Sequence, residues 1–463
     1  MVRPRTTIGQ TSRLSTVAAF RLFRRDPLAL FAEVASRPDG VARADLLGRS
    51  MVFITDPDHV RHVLKDNHRN YDKNAPIYNV ARPFLGAGLT VSPGGEDWLR
   101  RRRLVQPAFH RQHVRMAADI TESCLADTLA DWRAYADSGA EVDLSLEMTR
   151  LSMRVACRSL FGVDVVGDVA EIARNLAFVA GFVAEFLARP FPPLFVPTRR
   201  NREFHRAMRQ VRDLTAEIVR SRTGAAVPAE ATGLLSGLLA DAEAGGSTPD
   251  QVRDELIGLF FAGHETLAHT LTWCWYLLAR NPAVDARLRT ELTSVLGGRP
   301  ATFADLGALR YTRLVVDEAM RLYPVVWIMM RRALRPDVIA GHRIPGGALL
   351  AWSPYVGNRH RRVWSEPDEF RPERFAPDAD GRGPAHSRHS VLPFGLGPRA
   401  CVGADFAMAE ACLAVATLAQ EYQPVLLDRT PVRPEPSITL HPRGGLPSVL
   451  RRRAGHGVAV AAS

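Results

Sequence analysis
The chain's 463 residues are 46% apolar, 8% aromatic and 24% charged, enough apolar material for a large core and a balance that excludes a wholly disordered, collagenous or disulfide-scaffold protein. The 60 Lys+Arg against 49 Asp+Glu leave a formal charge of +11, which by itself admits DNA, RNA, anionic lipid or an acidic protein as partner. Only Lys65 and Lys73 are lysines, however, and the arginines scatter along the whole chain, a bias that fits a GC-rich coding sequence better than a nucleic-acid surface.

Residues 1–31 mix Arg3, Arg5, Arg13, Arg21, Arg24 and Arg25 with short apolar pieces and contain neither a signal-peptide core nor a membrane span. The run Met51-Val-Phe-Ile-Thr, closed by Asp56-Pro57, predicts a strand in the first hundred residues. From Trp98 onward helical periodicity dominates. Of the two most apolar stretches, 176–187 is too short to span a bilayer and carries Glu185, while 256–278 is interrupted by His264, Glu265 and His269; no transmembrane anchor is expected. Residues 224–246 form the best linker candidate, but Leu234-Leu235 and Leu238-Leu239 at helical spacing predict a short helix there rather than a domain boundary. The chain is therefore expected to be a single domain over residues 1–463, with flexible ends at about residues 1–25 and 454–463, against a length prior of about three domains. Five cysteines, Cys124, Cys157, Cys274, Cys401 and Cys412, without any C-x-x-C, suggest no disulfide framework or structural zinc and fit a cytoplasmic location.

One helix can be delimited closely. Thr248, Pro249 and Gln251 make a capping-box start, and Asn281-Pro282 supplies the stop. The span is about 32 residues, or roughly 48 Å, so the helix must cross the body of the domain. In its middle Ala262-Gly263-His264-Glu265-Thr266 places small residues, a carboxylate and a hydroxyl inside an apolar run, costly unless something uses them. The bland alternative is a satisfied polar contact with a kink, since threonine can bond the carbonyl four residues back.

Further on, Glu318 and Arg321 stand at i, i+3 before Pro324, and residues 393–403 read Pro-Phe-Gly-Leu-Gly-Pro-Arg-Ala-Cys-Val-Gly ahead of an apolar helix over about 404–420. Glycines at 395, 397 and 403 let a loop wrap something flat. Cys401 falls just before a helix N-terminus, where the dipole and free N–H groups favour a thiolate, a good soft ligand for iron.

With these residues in view, the chain resembles the cytochrome P450 family. Phe394, Gly397, Arg399, Cys401 and Gly403 match every fixed position of that family's haem-binding signature, Phe-x-x-Gly-x-Arg-x-Cys-x-Gly. Ala262 to Thr266 is similar to its oxygen-activating helix segment, Glu318-Ala-Met-Arg321 to its Glu-x-x-Arg pair, and Pro372-Glu-Arg374-Phe to the segment bringing a second arginine to that pair. The resemblance implies a mainly α fold with small β-sheets. It implies haem b, iron protoporphyrin IX, with the Cys401 thiolate as axial and metal ligand, an arrangement that favours O–O cleavage. Haem contacts by resemblance are Trp98, Arg102, Ala262, Phe394, Arg399, Gly403 and one of Arg331 or Arg332, with Arg331 preferred. Glu265 and Thr266 are the acid and alcohol expected to order water and deliver protons, and Glu318, Arg321 and Arg374 a structural triad. Arg100, Arg101 and Arg103 are read as a solvated face, near where an acidic redox protein could be steered.

The implied activity is insertion of one oxygen atom from O2 into an apolar small molecule. Residues 77–80, 178–195, 260–261, 325–330 and 438–440 are the expected pocket segments. Residues 318–333 are similar to bacterial sesquiterpene oxidases of the pentalenene kind, pointing to terpenoid secondary metabolism; a fatty-acid or polyketide hydroxylase and, in another class, a non-catalytic haem sensor are the alternatives. No flavin or iron–sulfur pattern occurs, so electrons are expected from a separate ferredoxin and an NAD(P)H-dependent ferredoxin reductase. No nucleic-acid partner is expected.

Overall fold
Helices α1 (Thr16–Arg25) and α2 (Pro27–Ala35) precede strands β1 (Val41–Leu46) and β2 (Arg49–Ile54). Helix α3 (Pro57–Arg61) and strand β3 (Tyr71–Asp72) lead to α4 (Pro76–Leu85), α5 (Gly95–Val105), α6 (Arg111–Ser138), β4 (Glu141–Asp143) and α7 (Leu144–Phe161). Next come α8 (Arg199–Arg222), α9 (Leu234–Glu243), α10 (Pro249–Arg280), α11 (Pro282–Leu296) and α12 (Arg310–Leu322). Strands β5 (Met329–Ala333), β6 (Asp337–Ile339), β7 (His342–Ile344) and β8 (Leu349–Trp352) are followed by α13 (Ala404–Glu421), β9 (Tyr422–Leu426), β10 (Pro434–Pro436), β11 (Leu440–Pro442) and β12 (Pro447–Arg452). This computed structural model describes residues 13–46, 49–86, 88–161, 174–175, 178–183, 185–186, 193–222, 234–377, 391–428 and 430–453.

The architecture is mainly α with small sheets, and the boundaries of α10 follow the chain's own signals. Thr248 accepts from the Gln251 N–H at 3.2 Å while the Gln251 side chain accepts from the Thr248 N–H at 2.9 Å, and Asn281 caps the other end. The short helix expected within 224–246 is α9, whose four leucines are buried; residues 223–233 lie outside the described set. Residues 16–25 form α1, capped by Ser15 and burying Ala19. Residues 1–12 and 454–463 lie outside the described residues.

The largest core sits between α6, α7, α10, α12 and α13. At its centre Trp132 lies 5.8 Å from the Trp275 ring and 5.7 Å from Tyr422, all fully buried. The main sheet has the order β1-β2-β8-β5-β3, antiparallel except for the β2–β8 pair. In it Asp72 pairs with Arg332 and Tyr71 with Ala333. Because successive strand side chains point to opposite faces, Arg331 and Arg332 leave the sheet on opposite sides. The small hairpin β10–β11 sets Glu435 opposite His441 and docks on α10, where the Trp273 Nε1–H donates to the Leu440 carbonyl at 3.0 Å.

The acid–arginine triad forms inside this frame. Glu318, fully buried, accepts from Arg321 through both oxygens (Nε 2.6 Å, Nη2 2.8 Å), from Arg374 Nε at 2.8 Å and from the Arg371 backbone N–H at 3.0 Å. Arg321 donates on to the carbonyls of Asn358, Pro367 and Glu369. The triad thus bolts α12 to the irregular stretch over residues 358–374. Glu318→Ala strands two buried guanidinium groups and is expected to cost about 3–5 kcal/mol. Arg313→Ala, which removes an exposed i, i+4 partner of Asp317, is expected to cost less than about 1 kcal/mol. Thermal unfolding of the two variants checks this.

Candidate functional site
The loop over residues 391–403 is closed by its own backbone. The Cys401 N–H donates to the Phe394 carbonyl at 2.7 Å, the Ala400 N–H to Gly397 at 3.0 Å and the Gly395 N–H to Leu392 at 3.1 Å. Gly397 has φ of 71°, and a Cβ there would stand 2.1 Å from the Leu64 carbonyl oxygen, so both conformation and close approach demand glycine. Cys124, Cys157, Cys274 and Cys412 are buried in packing, whereas Cys401 is exposed. Desolvation pushes its thiol up, while the Gly403 N–H, Arg102 and Lys73 act in the opposite sense.

Four cations converge around this loop. Arg102, on α5, donates to the Ala400 carbonyl at 2.9 Å. Arg399 lies 3.8 Å over the Trp98 ring and donates to the carbonyls of Ser92 (3.0 Å) and Pro93 (2.7 Å). Arg331 is buried and donates to the Tyr78 hydroxyl at 3.1 Å and the Met330 carbonyl at 2.8 Å. Lys73, just beyond β3, donates to the Thr90 carbonyl at 2.9 Å. Burial, then Arg331 and Arg399, drive the Lys73 amine far below its ordinary pKa, and burial and Arg331 bring Arg399 down to about 10. Asp72, the nearest acid on the strand, is taken by Arg332 at 2.5 Å and 3.2 Å. Among the described residues no carboxylate forms an ion pair with any of the four.

Sequence reasoning brought Trp98, Arg102, Arg331 and Arg399 together but missed Lys73. The available signal was that only two lysines occur in the chain. The solvated-face reading of Arg100, Arg101 and Arg103 needs correction. Arg101 is buried and pairs with Asp97 at 2.9 Å, and Arg100 pairs with Asp241 at 3.2 Å; Arg103 alone of the three is exposed without a carboxylate partner among the described residues. The helix turns Arg101 inward while Arg103 faces out, so a run of like charges does not share one environment.

On α10 the Thr266 hydroxyl donates to the Ala262 carbonyl at 2.7 Å, the polar contact anticipated, yet the helix remains α throughout. Gly263 is exposed, and a Cβ there would meet nothing within 4 Å. His264 is buried, stacks on Phe260 and has Nδ1 at 2.8 Å from the Phe260 carbonyl; burial lowers its pKa to about 4. Glu265 Oε1 accepts from the Thr439 hydroxyl at 2.8 Å, Oε2 is buried without a partner among the described residues, and burial raises this carboxyl to about 7.

The expected pocket segments divide. Phe182, Val183, Phe186, Phe260, Phe261 and Ile438 belong to one apolar cluster. Trp327, Ile328 and Met330 instead pack beneath the main sheet with Leu30, Phe31 and Phe53, so they build the core, and Phe195 is 86% exposed. Residues 176–177, 184 and 187–192 lie outside the described set.

A cytochrome P450 family model matches residues 12–448. The chain is 36% identical over 429 residues to cyclooctatin synthase of Streptomyces melanosporofaciens, covering 90% of each. It is 34% identical to cyclooctat-9-en-7-ol 5-monooxygenase of the same organism, over 90% of this chain and 88% of that one. Pentalenene oxygenase of Streptomyces avermitilis is 32% identical over 92% and 93%. The crystal structure of CYP175A1 from Thermus thermophillus superposes with a TM-score of 0.75 at 25% identity, over 95% of this chain and all of that one. With a cysteine loop, a carboxylate–hydroxyl pair on a long helix and a buried acid–arginine triad in one fold, the chain belongs to the cytochrome P450 family, haem-thiolate monooxygenases whose axial ligand is a cysteine.

Proposed function
We propose that the chain oxidises a polycyclic terpenoid, with haem b held by Cys401 and by the four cations around it. The observation that carries the haem site is the enclosed set Lys73, Arg102, Arg331 and Arg399, without a carboxylate partner among the described residues while Asp72 is bound to Arg332. Like charges desolvated together repel, and two propionates are the anions that would balance them. Trp98 supports Arg399 from below, Phe394 and Gly403 shape the cysteine loop, and Arg331 rather than Arg332 faces the cluster. Bound there, the haem iron supplies reduction of O2 and transfer of one oxygen atom.

The chain's own residues would manage the protons. Glu265, at about 7, exchanges a proton readily at neutral pH, and its partnerless Oε2 is the atom free to do so. As a buried acid it holds its proton below pH 7 and loses it above, so delivery should weaken as pH rises past 7. The Thr266 hydroxyl is spent on the Ala262 carbonyl, leaving its lone pairs to accept from water; Ala262 and Gly263 keep bulk away from that face. Electrons would come from a ferredoxin and its NAD(P)H-dependent reductase. The terpenoid reading is supported by the apolar cluster of Phe182, Phe186, Phe260, Phe261 and Ile438 and by relatives named for pentalenene and cyclooctat-9-en-7-ol.

The purified protein, reduced under carbon monoxide, should give the red-shifted Soret band of a thiolate-ligated haem. Supplied with surrogate ferredoxin, reductase and NADPH, it should add one oxygen to pentalenene or cyclooctat-9-en-7-ol. Oxidation of a long-chain fatty acid and of neither terpenoid would overturn the substrate reading. Thr266→Ala should release several-fold more peroxide per NADPH with little loss of stability; unchanged coupling would remove Thr266 from the mechanism. Lys73→Met removes a charge-assisted contact and should weaken haem retention by about 1.5–3 kcal/mol, measured by haem transfer to an apoglobin acceptor.

A further inference from the structure
Glu265 faces a second polar chain that the family assignment does not account for. One hydroxyl, Thr439 Oγ1, lies 2.8 Å from Glu265 Oε1 and 3.0 Å from His269 Nδ1. Glu265 and His269 are four apart and share one face of α10, while Thr439 comes from the hairpin side. It is buried and pinned in place: the neighbouring Leu440 receives the Trp273 indole N–H at 3.0 Å and gives its own N–H to the Val325 carbonyl at 2.9 Å. Beyond it the His269 ring stacks on His441 at 5.3 Å and 28°. His441 is partly exposed, with Nε2 4.0 Å from Glu435, which Arg443 also approaches at 3.8 Å.

A hydroxyl has one proton, and that fixes what the three groups can do together. If Thr439 donates to an ionised Glu265, His269 must present Nδ1–H to Thr439. If Glu265 carries the proton and donates to Thr439, then Thr439 donates to His269 Nδ1 and the ring proton sits on Nε2. When the proton on Glu265 sits on Oε1, the charge on Glu265 and the tautomer of His269 change together.

We propose that Thr439 and His269 are positioning residues that resupply protons to Glu265, as the three-member relay Glu265–Thr439–His269 beside the partly exposed His441. This rests on the reading of Glu265 as the proton-delivering acid. In one pass a proton from water adds to His269 Nε2, the Nδ1 proton moves to Thr439 Oγ1, and the Thr439 proton moves to Glu265 Oε1. One proton enters and one arrives; the chain resets when His269 gives its Nε2 proton to water and regains one at Nδ1 and the Thr439 hydroxyl turns back to Glu265. Burial, with His441 and His264 adding to it, holds His269 down to about 3, so the ring passes protons without resting as a cation. His264 takes no part, because its Nδ1 is engaged by the Phe260 carbonyl. The charged and titratable groups facing His269 are thus Glu265 and His264 on its own helix, and His441, Glu435 and Arg443 from the hairpin.

The test is long-range proton–nitrogen spectroscopy of histidine-labelled holoenzyme in the diamagnetic ferrous carbon monoxide form, with His269 assigned through His269→Gln. As pH falls through the titration of Glu265, the His269 proton should shift from Nδ1 to Nε2. That response should vanish in Thr439→Val and Glu265→Gln and survive in Thr439→Ser. A pH-independent tautomer, or the same response in Thr439→Val, overturns the relay. During NADPH-driven O2 consumption with a surrogate ferredoxin and reductase, Thr439→Val should raise the peroxide fraction several-fold and Thr439→Ser restore it. No rise in Thr439→Val while Glu265→Gln does raise it overturns the relay alone. No rise in either overturns the reading of Glu265, and the relay with it.

Discussion
Four cations gathered beside Cys401, without a carboxylate partner among the described residues, constrain much of the molecule. Lys73, Arg102, Arg331 and Arg399 are fastened by backbone carbonyls at Thr90, Ala400, Met330, Ser92 and Pro93. Carbonyl dipoles orient the charges but do not neutralise them, so in this poorly solvated place burial and mutual repulsion push Lys73 well below its ordinary pKa, and an anion would reverse that. Three parts of the fold converge to make this happen: β3 and β5 of the main sheet, helix α5, and the cysteine loop. The β3–β5 register does the sorting, because pairing Asp72 with Arg332 engages a nearby acid that would otherwise quench the cluster.

Cys401 stands against this positive field, and the triad explains how its loop stays put. Glu318 ties α12 to residues 358–374, and the chain then proceeds to the cysteine loop and to α13, which packs on α12 and α10 in the central core. The same helix α10 carries Glu265 and Thr266 in its middle and closes the core with Trp273 and Trp275 at its far end. Polar groups that would be a liability in a buried helix are tolerable because each oxygen but one has a partner: Thr266 has the Ala262 carbonyl and Glu265 Oε1 has Thr439. The exception, Glu265 Oε2, is where exchange with a reacting centre is chemically easiest.

How much of this was legible beforehand varies with the distance over which each feature is decided. The ends of α10 are local, set by Thr248, Gln251 and Asn281, and they are readable to the residue. The Glu318–Arg321 pair is one helix turn, and the cysteine loop is a contiguous pattern; both are readable, with Arg374 joining through resemblance. Lys73 is not, because its meaning depends on a two-residue strand, β3, pairing with β5 some 260 positions later. Arg101 looks like its neighbours and is buried because one turn of α5 faces inward. Trp327, Ile328 and Met330 have a pocket's composition but serve the core under the main sheet, a distinction that apolar character alone cannot make. Thr439 and His269 are 170 positions apart, and nothing in either neighbourhood marks them as partners.

The charge balance that first suggested polyanionic partners resolves in part into internal work, at the Glu318 triad and at the cation cluster. Whether that cluster is built for a pair of carboxylates on a bound macrocycle is tested most directly by reconstituting the apoprotein with haem and, separately, with haem dimethyl ester, and comparing thermal unfolding. Haem should raise the midpoint well above the ester, with the difference shrinking in Lys73→Met and Arg331→Met. Equal stabilisation by the two porphyrins would contradict this role for the four cations.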